Sequence, residues 1–129
     1  MTNFTLQQQN FTSNDISTRL QQLGANLASI QTLFTDASQQ QAILNLAKES
    51  RYFIEWTVPD MVKKDDIDQA AELVDLGRVL TCWLFDKEKI WSDSTDNLET
   101  RTQASSQAQQ WSQRVSEISQ TYERSVSNG

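Results

Sequence analysis

The chain has 129 residues, with 17 acids against 11 bases, no histidine, one cysteine and a net charge of −6. That length suits one domain able to bury about two thirds of its unfolded surface, and the acidic balance, with no Lys/Arg stripe to override it, excludes a nucleic-acid partner. The missing histidine rules out Ser-His-Asp and Cys-His nucleophiles and any imidazole metal site, while one proline and three glycines are too little punctuation for a many-stranded sheet.

An all-α fold follows, read as an up-down-up-down four-helix bundle with an irregular N-terminal arm. Residues 1–12 form the arm, because Phe4, Leu6 and Phe11 lie among Thr, Gln and Asn with no sustained period. Residues 13–126 make a single four-helix domain. Its first helix, about 14–34, starts at Ser13 or Asn14 as cap. Ile16, Leu20, Leu23, Leu27, Ile30 and Phe34 then alternate spacings of four and three, a narrow seam that needs one neighbouring groove.

Thr35 and Asp36 stop this helix, and Asp36 with Gln39 gives a capping box for the second, about 37–57. There Ala42, Ile43, Leu46, Ala47, Phe53 and Ile54 share one face, and Tyr52 and Trp56 pair on its flank. Pro59 disfavours helix at Val58, so a turn is expected there, unusually apolar through Val58, Met61 and Val62. The third helix, about 66–88, is capped by Asp65 or Asp66. Trp91 opens a polar loop, and Asp96 with Glu99 caps the fourth helix, about 97–125. Its seam is Ala104, Ala108, Trp111, Val115, Ile118 and Tyr122. Short connections favour antiparallel neighbours, hence the up-down-up-down order.

The third helix departs from this economy. Asp68, Glu72, Asp75 and Asp86 project within roughly a sixth of the circle, and apolar residues cover most of the rest. A helix leaning on its own domain needs an apolar arc of only about 100° or a little more. Something must therefore cover a second flank. Leu76, Val79, Leu80 and Trp83 border the acid stripe and are the expected contact, supplemented by Tyr52, Trp56, Val58 and Met61 at one pole. The net charge resides in the same region, since residues 60–99 hold eleven acids and five bases and the remainder is balanced.

Little chemistry is on offer. Asp68, Glu72 and Asp75, spaced i, i+4, i+7, could line up on a hard cation, but no facing acidic set exists and a solvated stripe explains them. The stretch from Asp93 to Glu99 has a calcium-loop flavour, yet lacks the glycine and has Ala104 where the bidentate Glu belongs. Cys82, beside Trp83, reads as a small buried hydrophobe. No cofactor is implied. The N-terminal ten residues lack a signal-peptide pattern, no apolar run is long enough for a bilayer, and one cysteine cannot form an intrachain disulfide. The expectation is a cytoplasmic, non-enzymatic bundle acting through protein–protein contact, homodimeric through the third helix, in a scaffold, adaptor or regulatory role. The alternative is a small-molecule-binding bundle or small enzyme, with a site among Tyr52, Trp56, Trp83, Trp91, Trp111 and Tyr122.

Overall fold

Asp15, in extended conformation, accepts a hydrogen bond from the Thr18 amide at 2.8 Å and starts α2, Ile16–Leu33. The cap is thus one residue beyond Asn14 and two beyond Ser13, the expected candidates. In this computed structural model, which describes residues 2–85 and 95–127, the chain is all-helical. No strand is present among the described residues, and no helix there is long and apolar enough to cross a membrane.

The segment expected as an irregular arm is a helix, α1, Thr2–Thr12. Its own periodicity does not explain this, but its C-terminal end is anchored. Phe11 is buried and stacks on Phe53 with ring centroids 4.1 Å apart and planes 7° from parallel. The buried Arg19 side chain donates to the carbonyls of Thr12 (2.8 Å) and Asn14 (2.9 Å) and to the Asp60 carboxylate (2.6 Å). Carbonyls left open at the end of α1 are satisfied by that guanidinium. From the sequence, Phe4 and Phe11 could pack against the end of the last helix; Phe11 packs on Phe53 instead, and the Phe4 side chain lies outside the described ones.

A short 3₁₀ turn, Ala37–Gln39, capped by Asp36, leads into α3, Gln40–Lys63. Helix therefore continues six residues past the expected end at 57 and runs through Pro59. Both Pro59 and Glu55 are exposed, so the Glu55 carbonyl deprived of its N–H partner faces solvent. Met61, fully buried, gives the extra turn its apolar anchor, and Asp60 is held by Arg19.

A Schellman arrangement ends α3. The Asp66 amide reaches back to the Met61 carbonyl (3.0 Å) and the Asp65 amide to that of Val62 (2.9 Å). Asp65 takes φ 62°, the left-handed region. Asp66 then caps α4, Ile67–Phe85, through the Gln69 amide, and Gln69 returns a side-chain bond at 2.8 Å. The last helix, α5, spans Thr95–Ser127, so Asp96 stands inside its first turn rather than capping it. The expected helix end at 86–88, together with Asp86, Ile90, Trp91 and Asp93, lies outside the described residues.

Helix α2 is packed most extensively against α5 and also against α3, while α4 packs on α3. Three serines set the α2/α5 pairing. Ser105, Ser112 and Ser119 donate to the carbonyls of Gln31 (3.0 Å), Gly24 (3.2 Å) and Ser17 (3.0 Å). Both series step by seven residues in opposite directions, so the two helices run antiparallel. Side chains link α4 to α5: Glu72 binds Arg114 at 2.8 and 3.1 Å, and Tyr122 donates to Asp66. Burial, and then the bond to Asp66, raise the Tyr122 phenol above its ordinary pKa. The core is filled by Leu20, Leu23, Leu27 and Ile30 of α2, Ile43 and Ala47 of α3, Leu73, Leu76 and Leu80 of α4, and Val115 and Ile118 of α5.

Candidate functional site

Helix α4 spends one face on the core and leaves the opposite face mostly apolar around a central Arg78. Ala70, Leu73, Leu76, Leu80 and Trp83 are buried in the domain. Spaced 4, 3, 4, 3 and 4 along the other side run Ile67, Ala71, Val74, Arg78, Thr81 and Phe85. At about 100° per residue these six fall within roughly 80° of arc. Ile67 is 55 % exposed, Val74 42 % and Phe85 77 %. Ala71 and Cys82 are exposed on the same side. This is a second, coiled-coil-like seam with nothing of the described chain packed over it.

Beside it lies a groove of about 610 Å³ between α3 and α4, lined mainly by apolar surface. Ile54, Val58 and Pro59 form its α3 wall, and Val74, Gly77 and Cys82 its α4 wall. Arg51, Glu55 and Arg78 line it as well. A Cβ placed on Gly77 would meet nothing within 4 Å, so the groove floor is open there. The Thr81 hydroxyl donates to the Gly77 carbonyl at 2.8 Å, so its polar group is satisfied within the helix. No ion pair joins Arg51 to Glu55 among the described residues, although their spacing predicts one; Arg78 contacts Asp75 at 3.5 Å.

The contact expected at Leu76, Val79, Leu80 and Trp83 is corrected by this geometry. Leu76 and Leu80 are 0 % exposed, Trp83 is buried with its ring edge-on to Phe34 at 5.3 Å, and Val79 is partly buried against the core. The reason is which flank of the acid stripe turns inward. The side with larger residues wins the core, because burying Leu and Trp removes more apolar area from water. The excess of apolar surface is present, but on the far flank.

The patch expected at one pole is corrected in the same way. Met61 is fully buried. Tyr52 and Trp56 stack with centroids 5.6 Å apart, but Trp56 is also packed by Phe11 and Phe53 and is partly covered by α1. Val58 alone of that set belongs to the groove. Cys82, expected to be buried, is exposed.

The acids are spread over different tasks. Glu72 is held by Arg114 from α5, Asp75 lies next to Arg78, and Asp68 sits in the first turn of α4, where the helix dipole favours it. Among the described residues no group of three acid, cysteine or histidine side chains is placed to hold a metal ion. The aromatics likewise fail to converge: Trp83 and Phe34 pack at one end, Phe11, Phe53, Trp56 and Tyr52 at another, and Tyr122 bonds Asp66. Trp91 lies outside the described residues.

Neither a protein family model, nor a curated protein, nor a solved structure matches the chain.

Proposed function

We propose that this protein acts without catalysis, as a self-associating helical scaffold or adaptor whose contact surface is the outer face of α4 with the adjoining rim of α3. In this reading α2 to α5 form an up-down-up-down four-helix bundle in the cytoplasm, and α1 packs on the α2/α3 end. The antiparallel hydrogen-bond series between α2 and α5, and the Glu72–Arg114 and Asp66–Tyr122 links between α4 and α5, support that topology.

One observation carries the reading: α4 has a complete second seam, Ile67 to Phe85, opposite the side that fills the core. Each large side chain left in water there forgoes about 1.5–3 kcal/mol relative to burial. Such faces mark interaction sites on soluble proteins. Light scattering over a micromolar concentration series should report a dimer. Val74→Asp, at an exposed position, should give a monomer of unchanged helicity by circular dichroism. A wild-type chain that stays monomeric would overturn the reading.

A ligand-binding role has one observation in its favour, the volume of the α3/α4 groove, about 610 Å³, which falls in the range of small-molecule sites. Native mass spectrometry of freshly purified protein separates the two readings. A stoichiometric adduct of a few hundred daltons on a monomer supports the ligand, and a bare dimer supports self-association.

A further inference from the structure

We propose that the occupant of this face is a second copy of the chain, with the two α4 helices packed antiparallel about a twofold axis at the level of Leu76 and Gly77. The inference rests on the self-association reading above and specifies its geometry. The seam is symmetric in spacing. Ile67 and Phe85 lie nine residues before and after Leu76, Ala71 and Thr81 five, and Val74 and Arg78 two. Antiparallel pairing about that centre therefore sets Ile67 against Phe85 of the second copy, Ala71 against Thr81, and Val74 against Arg78. A twofold dimer presents the same patch twice, and a patch whose positions mirror about its midpoint meets that demand.

Along the seam the large Ile67 and Phe85 lie at the ends, the small Ala71 and Thr81 come next, and Val74 and Arg78 flank the centre. Gly77, on the groove side of this seam and with open space around it, leaves room on that flank for side chains of the second copy. At each end Phe85 of the second copy would cover Ile67 and the exposed Val62 at the α3–α4 connection.

Charge decides between orientations. Arg78 is the only base in α4 and stands in the seam itself. Parallel pairing would put the two Arg78 guanidinium groups opposite one another in a partly dehydrated contact. Antiparallel pairing puts each against Val74 and beside Asp75 of the second copy. Both Asp75 carboxylates then reach one edge at the same level, and each Arg78, already 3.5 Å from its own Asp75, can bridge them.

The area is of the required order. The face is about 28 Å long at 1.5 Å per residue and, counting the α3 rim at helix spacing, about 20 Å wide. That is on the order of 500 Å² in projection for each copy, which side-chain relief raises toward the roughly 800 Å² per partner of a stable dimer.

Cross-linking of the full chain tests the register. In a Cys82→Ser background, Ala71→Cys and Thr81→Cys are made as two separate proteins and oxidised alone and after mixing and subunit exchange. The antiparallel register gives covalent dimer in the mixture and none in either protein alone. Covalent dimer from each protein alone, with no gain on mixing, means a parallel pair. That overturns this proposal and leaves self-association standing. A wild-type dimer by light scattering that yields no cross-link in any sample places the contact on another face and overturns it as well. A wild-type monomer overturns both readings together. The charge argument has its own test, independent of new thiols. Arg78→Glu should weaken the dimer roughly tenfold or more, and exchanging the pair, Asp75→Arg with Arg78→Asp, should restore most of the loss. An Arg78→Glu protein that dimerises as tightly as wild type would refute the bridging role and with it the preference for the antiparallel pair.

Discussion

Gly24 and Gly77 are the two internal glycines of this chain, and each lies on a helix face bordered by small residues, but the two faces are used in opposite ways. On the α2/α5 side a Cβ at Gly24 would already touch Val115 at 3.7 Å and the Ser112 carbonyl at 3.8 Å. On the outer side of α3 and α4 a Cβ at Gly77 would touch nothing. Small residues in the first place let two helices of one chain close up until serine hydroxyls reach the facing backbone. In the second they leave a groove with no tenant from the described chain. A small-residue face is therefore a permission for close approach, and the surroundings decide whether the permission is used within the fold or kept for another molecule.

The two faces of α4 should respond very differently to substitution. Leu80→Ala removes a fully buried side chain and should cost about 2–5 kcal/mol in urea unfolding. Val74→Ala, measured at dilutions that leave the chain monomeric, should stay within about 0.5 kcal/mol of wild type. Equal costs would mean that the outer face is not a free face. The glycines give a matched pair one step smaller. Gly24→Leu overfills the α2/α5 contact and should destabilise by about 1–3 kcal/mol. The same residue at Gly77 enters open space and should stabilise the monomer by about 0.5–1 kcal/mol, because leucine holds a helix better than glycine.

The serine series supplies the next increment. Ser119→Ala takes away the hydroxyl that donates to the Ser17 carbonyl and meets the Ser17 hydroxyl at 3.1 Å, both buried. A loss of about 1 kcal/mol is expected in thermal or denaturant unfolding. Changes remote from both faces should move stability without moving self-association. Asp65→Gly relieves the left-handed backbone at φ 62° and should stabilise by up to about 1 kcal/mol.

The pH dependence is the smallest effect. Hydrogen bonds from Thr18 to Asp15, and from Ser38 to Asp36, hold both carboxyl groups below the usual aspartate pKa. A depressed folded-state pKa contributes stability that is present above the unfolded value and is lost as pH falls through the folded one. These two caps should therefore contribute fully above about pH 5 and fade below about pH 4. Replacing either by Asn, which still caps but does not titrate, should flatten that acid limb in a melting-temperature series. An unchanged limb would refute the assignment.

Much of this fold is legible in the residues, because patterning and burial agree where one face is clearly larger. The seam from Ile16 to Phe34 is buried at every one of its six positions. Asp36, and Asp66 of the pair Asp65 and Asp66, cap as expected, Asp36 through the Ser38 amide and Asp66 through that of Gln69. Helix α1 is not legible, since what holds it is Phe11 on Phe53 and a guanidinium seven residues downstream, contacts that no local period encodes. The reach of α3 past Pro59 is hidden for a similar reason. A lost backbone bond on the solvent side is cheap, while the anchor, Met61, acts through tertiary burial. For the site, the width of the apolar arc on α4 is readable, but the side that turns inward depends on the neighbours it meets. The signal that could have found it is present: Leu73, Leu76, Leu80 and Trp83 are bulkier than Ala71, Val74, Thr81 and Cys82. The recurrence of serine at 105, 112 and 119, in step with Ser17, Gly24 and Gln31, was equally available and passes unnoticed when only apolar positions are tracked.

That recurrence has a consequence for how α2 finds its place on α5. A ladder repeating every seven residues on both helices is a vernier whose marks coincide again after a slide of one heptad, about 10.5 Å along the axis. Ser112 would then meet the Ser17 carbonyl and Ser105 that of Gly24, so the hydroxyls alone define the pairing only up to a multiple of seven. Choice among these settings must come from features that do not repeat: the single glycine that admits Val115, and the Gln21–Glu123 contact at 2.7 Å. The hydrogen bonds lock the pair at whichever notch the aperiodic side chains have selected.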